Sequence, residues 1–427
     1  MAHFPKPAEG SWTAHYPGLS TADASYEDSI SPEHYELERK AVFGKTWLNV
    51  GRVERLPKVG SYFTKEIDAA RSSVIIVRTA DGIKAFHNVC RHRGNKLVWQ
   101  DYPREETSGT ARQFICKYHA WRYDLGGACT FVQQESEFFD LDKAKYSLAD
   151  VRLDIWEGFI FINFDKDGTQ SLADYLGPLA ADLVGYPWGE MTSVFKYKSE
   201  IGANWKLFID AFAEFYHAPV LHNRQATAEE SRKLQQYGYE ALYYKIDGPH
   251  SMVSSWGGMS PPKDPRMVKP IERELRTGLF GPWDKPFDIT LPPGLNPARH
   301  KAWGVDSFVF FPNFMILVWE PGWYLTYHYW PTSVNSHTFE AALYFAPPKD
   351  ALERLRQEMA AATFKEYGLQ DANTLEATQT MLESRAVSEF PLNDQEILLR
   401  HLHQTARAFC AEFVKSTPGA TPSPALV

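Results

Sequence analysis

Apolar positions divide the chain into a stretch that alternates at period two and a longer one in which strand and helix periods are mixed. Ser31-Pro32-Glu33 sets an N-cap, a proline at the first helical position and an acid in the first turn, and Gly44 closes the pattern, predicting a short entry helix. Between about residues 46 and 165, Val74-Ile75-Ile76-Val77 and Ile83-Lys84-Ala85-Phe86 flank the turn dipeptide Asp81-Gly82, the pattern of a β-hairpin. Beyond 166, helices are expected at roughly 203–217, 351–366, 372–384 and 394–415, the last opened by a capping box of Asn393 and Glu396. Residues 308–311, 314–319, 324–330 and 338–345 read as consecutive antiparallel strands, with Pro321-Gly322 as one turn.

The predicted fold class is therefore α+β. It has an N-terminal helical segment (1–45), an antiparallel β domain (46–165), a second domain of helices and antiparallel sheet (166–415) and a disordered tail (416–427). Residues 246–304, rich in Pro, Gly, Trp and Met without clear periodicity, read as a lid over a pocket.

The 427 residues allow two or three domains. Lys plus Arg number 45 against 53 Asp plus Glu, a net charge of −8, so nothing in the overall charge attracts nucleic acid or an anionic membrane. A hydrophobic share of 44% with 14% aromatic residues is that of a globular protein. Four cysteines are too few for a disulfide scaffold, the opening Met1-Ala2-His3-Phe4-Pro5-Lys6 has no apolar export core, and the longest apolar runs are strand-length. The expected location is cytoplasmic, with no transmembrane helix.

Two constellations carry chemistry. Cys90-Arg91-His92 and Cys116-Lys117-Tyr118-His119 each put a thiolate and an imidazole in a tight turn of the β domain. Four such ligands suit zinc, or a [2Fe-2S] cluster with cysteines on one iron and histidines on the other, and spacing alone does not decide between them. Their surroundings are more specific. Cys90-Arg91-His92-Arg93-Gly94, and Cys116 through Ala120-Trp121 with Tyr123 and Gly126-Gly127, resemble the two ligand loops of Rieske proteins. Lys117 and Ala120 stand where that family usually has proline and glycine. Cys129 and Cys410 have no metal-type partner nearby and read as packing residues.

In the second constellation, helical spacing puts Trp205, Phe208, Phe212 and Phe215 on one face and Asp210, Glu214 and His217 on the other. His222 lies five residues past His217, off a single helical face, but Pro219 intervenes and permits a bend. Two neutral imidazoles and a carboxylate on one face of a metal form the facial triad of non-haem iron(II). An ordinary amphipathic helix with a wet side is the competing reading. Asn204-Trp205-Lys206 and Glu214-Phe215-Tyr216-His217 followed by His222 closely resemble the catalytic motif of Rieske non-haem iron oxygenase α subunits.

That resemblance implies a Rieske domain followed by a helix-grip-like catalytic domain with an antiparallel sheet. It implies a [2Fe-2S] cluster on Cys90, His92, Cys116 and His119, and a mononuclear Fe(II) on His217 and His222. Asp371 is the expected third ligand, because Gln370-Asp371 with Glu376 and Gln379 looks like the family's third-ligand segment, where an acid opens a helix. Glu214 is expected to bridge His217 to His119 of a neighbouring subunit, which implies a homotrimer, with β subunits as an option. His401 and His403 are expected to be exposed.

The implied activity is oxygen insertion from O2 into an apolar or aromatic substrate, by hydroxylation or dihydroxylation, with O- or N-demethylation as the alternative. Electrons would come from NAD(P)H through a separate reductase or ferredoxin, since this chain shows no glycine-rich dinucleotide fingerprint. Residues 88–122 hold seven Lys or Arg against three Asp or Glu, a candidate docking face for that donor. Trp256, Met259, Phe280, Trp283, Trp303 and Phe310 are candidate pocket residues. Two non-enzyme readings compete: a Rieske electron carrier holding two irons, and a colourless zinc protein.

Overall fold

The computed structural model describes residues 12–222, 241–255, 290–301, 303–320 and 322–426. It divides into two compact units, Arg39–Tyr175 on one side and, on the other, the chain before Arg39 together with the chain from Leu176 onward.

Ten strands build the Arg39–Tyr175 unit: β1 (Leu48–Arg52), β2 (Ser61–Ile67), β3 (Ser72–Thr79), β4 (Gly82–His87), β5 (Ser108–Thr110), β6 (Gln113–Ile115), β7 (Arg122–Asp124), β8 (Cys129–Phe131), β9 (Asp150–Trp156) and β10 (Phe159–Asn163). Seven form one antiparallel sheet in the order β1-β10-β9-β4-β3-β2-β5, and β6-β7-β8 form a second. The expected hairpin is β3–β4, closed by the Thr79–Gly82 pair, where Gly82 takes φ 131, a conformation few other residues adopt. Phe86, Leu97, Phe114, Trp121 and Tyr123 fill the core beneath the two Cys-His turns.

The other unit is organised by a seven-stranded antiparallel sheet in the order β11-β17-β16-β15-β14-β13-β12. Its members are β11 (Ser193–Ile201), β12 (Ala241–Asp247), β13 (His250–Ser255), β14 (Val305–Phe310), β15 (Phe314–Trp319), β16 (Trp323–Ser333) and β17 (Ser336–Phe345). The four strands expected between 308 and 345 are β14 to β17. β13 corrects the reading of 246–304 as irregular from its start. All six of its residues are buried, so neither face shows the polar-apolar alternation by which a half-exposed strand is recognised. Residues 256–289, which hold four of the proposed pocket residues, Trp256, Met259, Phe280 and Trp283, lie outside the described chain.

Among the helices beside this sheet are α1 (Pro32–Glu38), α2 (Trp205–Phe212), α3 (Ala218–Leu221), α4 (Ala351–Glu383) and α5 (Ile397–Ser416). Ser31 caps α1 through the His34 amide, and the Asn393–Glu396 capping box is present just ahead of α5. α4 runs without interruption where two helices were expected. Gly368 lies inside the helix, where an added Cβ would sit 3.5 Å from the Tyr197 hydroxyl, an ordinary van der Waals contact between helix and sheet.

The sheet has two distinct faces. Ser307 on β14 donates from Oγ to the Phe212 carbonyl at 3.0 Å, and Tyr327 and Tyr329 on β16 contact Phe212 and Phe208, so these odd-numbered residues face α2. Trp319 and Trp323 extend the same face against Phe364 of α4. Phe310 stacks with Phe308 and Phe314 on the reverse face, and therefore does not line the α2 side.

A buried ionic cluster ties the N-terminal segment to α2 and α5. Lys206 Nζ lies 2.6 Å from Glu38, both side chains fully buried, and also donates to the Asp28 carbonyl. His403 stands between Asp28 (2.9 Å from Nδ1) and Asp210 (3.1 Å from Nε2). Burial disfavours its charged ring, but the two carboxylates outweigh this and raise it to about 9. His401 and His403 are thus buried, not exposed as expected; His401 bonds the Gly248 carbonyl. The tail is also more structured than its Pro-Ser-Thr composition suggests, because Ser423 is buried with its hydroxyl 2.7 Å from His34 Nδ1.

Candidate metal centres

In the β unit the turn after β4 carries Cys90 and His92, and the turn between β6 and β7 carries Cys116 and His119. Each is closed by backbone bonds, Gly94 to Cys90 and Ala120 to Cys116, with Gly94 at φ 73 and Ala120 at φ 57. The glycine usual at the second place would adopt that left-handed conformation without strain; alanine does so at a cost of roughly 1–2 kcal/mol.

Both sulfurs are buried and unpaired as disulfides. The rings of His92 and His119 meet at 4.6 Å, and His92 stacks on Trp121 at 5.0 Å. Burial, with Cys116 beside it, pushes the Cys90 thiol up, while Tyr123 Oη at 3.4 Å works the other way. Burial and the neighbouring His119 push His92 down, toward the neutral form that ligates metals, and its Nδ1 is buried without a partner. Two adjacent thiols and two adjacent imidazole rings, one with an orphaned nitrogen, fit a cluster that takes two sulfur and two nitrogen ligands.

The second centre lies at the end of α2. Asn204 caps that helix through the Lys206 amide. The helix was expected to continue through His217, but it ends at Phe212, so Asp210, Glu214 and His217 do not share one helical face. The Phe212 carbonyl is taken by Ser307, and the Glu214 carboxylate turns back onto the amides of Tyr216 and His217. These contacts replace helical bonds. Asp210 goes instead to His403, and His217 and His222 flank the single-turn helix α3 as its two caps.

The two rings converge. His217 Nε2 and His222 Nε2 are 3.3 Å apart, and each lies 3.6 Å from Oδ1 of Asp371. A triangle of these sides has a point about 2.0 Å from every corner, the length of a metal bond to nitrogen or oxygen. Asp371 projects from the middle of α4, correcting the expectation that it opens a helix, so macrodipole stabilisation of a first-turn acid does not account for it. It is fully buried, and neither of its oxygens has a hydrogen-bond partner. Such a carboxyl needs a cation or a proton. Without metal, burial raises it to about 7 even though His217 works against the shift.

Glu214 Oε1 lies 2.5 Å from His217 Nδ1. A carboxylate accepts, so the ring donates from Nδ1 and leaves Nε2 free for a metal. Burial opposes charging of this ring, yet Glu214, its bond and then Asp371 carry His217 up to about 9. His222 is pushed down to about 4 by burial and by the charge on His217. Its own Nδ1 lies 2.9 Å from Gln370, a contact the sequence reading passed over because a glutamine beside an expected ligand carries no spacing signal. His217, His222 and Asp371 are the group of such side chains, among the described residues, gathered closely enough to hold one ion.

Residues 189–412 match the ring hydroxylating alpha subunit catalytic domain, and residues 46–147 match the Rieske [2Fe-2S] domain. The chain belongs to the ring hydroxylating alpha subunit family. A Rieske [2Fe-2S] cluster and a mononuclear iron are the cofactors of this family's two domains. The carnitine monooxygenase oxygenase subunit of Acinetobacter baumannii is 30% identical over 45% of this chain and 50% of its own length. The glycine betaine monooxygenase oxygenase subunit of Chromohalobacter salexigens is 34% identical over 45% of this chain and 41% of its own. Biphenyl dioxygenase subunit alpha of Metapseudomonas furukawaii is 32% identical over 44% and 42%. The chain thus spans about half the length of the curated relatives it matches. In fold it is similar to a quaternary ammonium Rieske monooxygenase crystal structure, with a TM-score of 0.70 at 19% identity over 92% of this chain and 97% of that one. Among the described residues no helix is long and apolar enough to cross a membrane.

Proposed function

We propose that this alpha subunit is the oxygenase component of a Rieske monooxygenase acting on a quaternary ammonium compound, with electrons from NAD(P)H delivered by a separate reductase or ferredoxin. The observation that carries an oxygenase is the triangle of His217, His222 and Asp371, which supplies three ligands to one ion and leaves the rest of its coordination sphere to other groups. The cluster, held by Cys90, His92, Cys116 and His119, supplies single electrons, and the ferrous ion supplies the place where O2 is activated.

The protein's own groups do the rest. Glu214 holds the Nδ1 proton of His217 and keeps Nε2 aimed inward. Both of its oxygens are engaged within its own loop, and a carboxylate retains lone pairs for one more donor. The reading assigns that place to His119 of a neighbouring copy, which makes the working unit a homotrimer. Arg91, Arg93 and Lys117 are exposed beside the cluster turns and form the proposed docking face for the electron donor.

Relatives named for carnitine and glycine betaine favour a quaternary ammonium over the aromatic hydrocarbon first expected, and favour N-demethylation or another monooxygenation over dihydroxylation. The sheet beside the site is compatible with this. Trp319, Trp323, Tyr327 and Tyr329 present rings on the α2 side of the sheet, and β13 to β16 contain no Lys or Arg. Aromatic faces attract an onium charge. The biphenyl dioxygenase relative supports oxidation of an aromatic ring as the second reading. The deciding experiment is O2 uptake by the reconstituted protein with a surrogate reductase across both substrate classes. Uptake matched by oxidised product is expected with a trimethylammonium compound; coupled turnover of aromatic hydrocarbons alone would overturn the reading.

A further inference from the structure

Each imidazole of the proposed iron site has its outer nitrogen fixed, but by different chemistry. His217 Nδ1 faces the anionic Glu214, whereas His222 Nδ1 faces the neutral side-chain carbonyl of Gln370 at 2.9 Å. The orientation of that amide follows from its other end. Gln370 Nε2 donates to Glu366 Oε1 at 3.3 Å, and a carboxylate can only accept, so Oε1 must be the end turned to the ring. A carbonyl oxygen also only accepts, so His222 carries its proton on Nδ1 and presents a bare Nε2 to His217 and Asp371. Gln370 is buried and lies next to Asp371 in α4, so one turn of helix supplies both a ligand and the group that orients another ligand.

We infer that Gln370 is a positioning residue that fixes the tautomer of His222 and keeps a third negative charge away from the mononuclear iron; this rests on the iron reading given above. With Fe(II), the Asp371 carboxylate and the Glu214 carboxylate already bring the local charge to zero. A neutral partner at His222 orients the ring as well as an acid would, without adding charge that favours the ferric state. Two acids at these two places would strengthen both imidazoles as donors and shift the iron's reduction potential downward.

The test uses the full chain carrying its cluster, depleted of the third iron by a mild chelator and titrated anaerobically with ferrous iron alone. Gln370→Leu removes the acceptor, and about 10- to 100-fold weaker Fe(II) binding is expected, with cluster absorbance unchanged. Gln370→Glu keeps an acceptor in place, so binding is expected to stay at or above the wild-type level while the ferric/ferrous potential of the mononuclear centre falls. Wild-type affinity in the leucine variant, or an unchanged potential in the glutamate variant, overturns the inference and leaves the iron reading intact. If the leucine variant does not fold, the glutamate potential decides. A wild-type chain that takes up no ferrous ion overturns both.

Discussion

Glu214 grips His217 at two points: one carboxylate oxygen lies 2.5 Å from the ring's Nδ1, and the other accepts the His217 amide together with that of Tyr216. The same side chain therefore ends the helix, shapes the turn and selects the ring tautomer. Glu214→Gln keeps the size but removes the charge, and its amide nitrogen cannot accept a backbone N–H. Ferrous affinity is expected to fall about 10- to 100-fold, with the visible spectrum of the cluster unchanged. Chelator competition reads the first and absorbance the second.

Iron loading should depend on pH in a defined direction. In the metal-free site His217 is raised to about 9 and Asp371 to about 7, and both must lose a proton to bind. Apparent Fe(II) affinity is expected to climb from pH 6 to pH 9 and then level off, with protons released on loading at pH 8. Titrations in buffers of different ionisation enthalpy measure that release. A flat profile over this range would contradict the assignment of these two ligands.

The Asp28–His403–Asp210 bridge makes a separate prediction about stability. His403 is raised from 6.5 to about 9, so its contribution is complete below pH 6.5 and is lost as pH rises through 9. Asp28 is held far below its usual 3.8, despite burial, chiefly by His403, so its contribution is present above the carboxylate range and lost in acid. Asp210 is raised by burial, with His403 working against the shift, so the bridge needs a pH above the ordinary carboxylate range to be fully ionic and weakens above 6.5 as His403 begins to lose its contribution. His403→Gln is expected to cost about 3–5 kcal/mol at pH 6. Urea unfolding at pH 6 and pH 9 should show the gap between variant and wild type narrowing at the higher pH.

Ala120 offers a gain instead of a loss. Its φ of 57 suits glycine, and its backbone amide closes the turn onto the Cys116 carbonyl. Ala120→Gly is expected to stabilise the cluster domain by about 0.5–1 kcal/mol once the added freedom of the unfolded chain is subtracted. A rise in Tm with an unchanged cluster spectrum checks it.

Local pattern made the two Cys-His turns and the four central strands legible, because Asp81-Gly82, the Cys-His pairs and alternating apolar runs are short-range signals. The end of α2 was not legible. Helical spacing from Trp205 to His217 is regular in sequence, and the break depends on Ser307, about a hundred residues away, taking the Phe212 carbonyl. His403 and Ser423 escaped for the same reason, since their partners Asp28 and His34 lie at the other end of the chain.

The most direct test of the account is the iron and acid-labile sulfide content of anaerobically purified protein, measured beside His217→Ala. The account predicts three irons and two sulfides per wild-type chain, and two of each in the variant, which keeps its cluster colour. Two irons in the wild type, or a third iron that survives the substitution, would contradict a mononuclear centre on His217, His222 and Asp371.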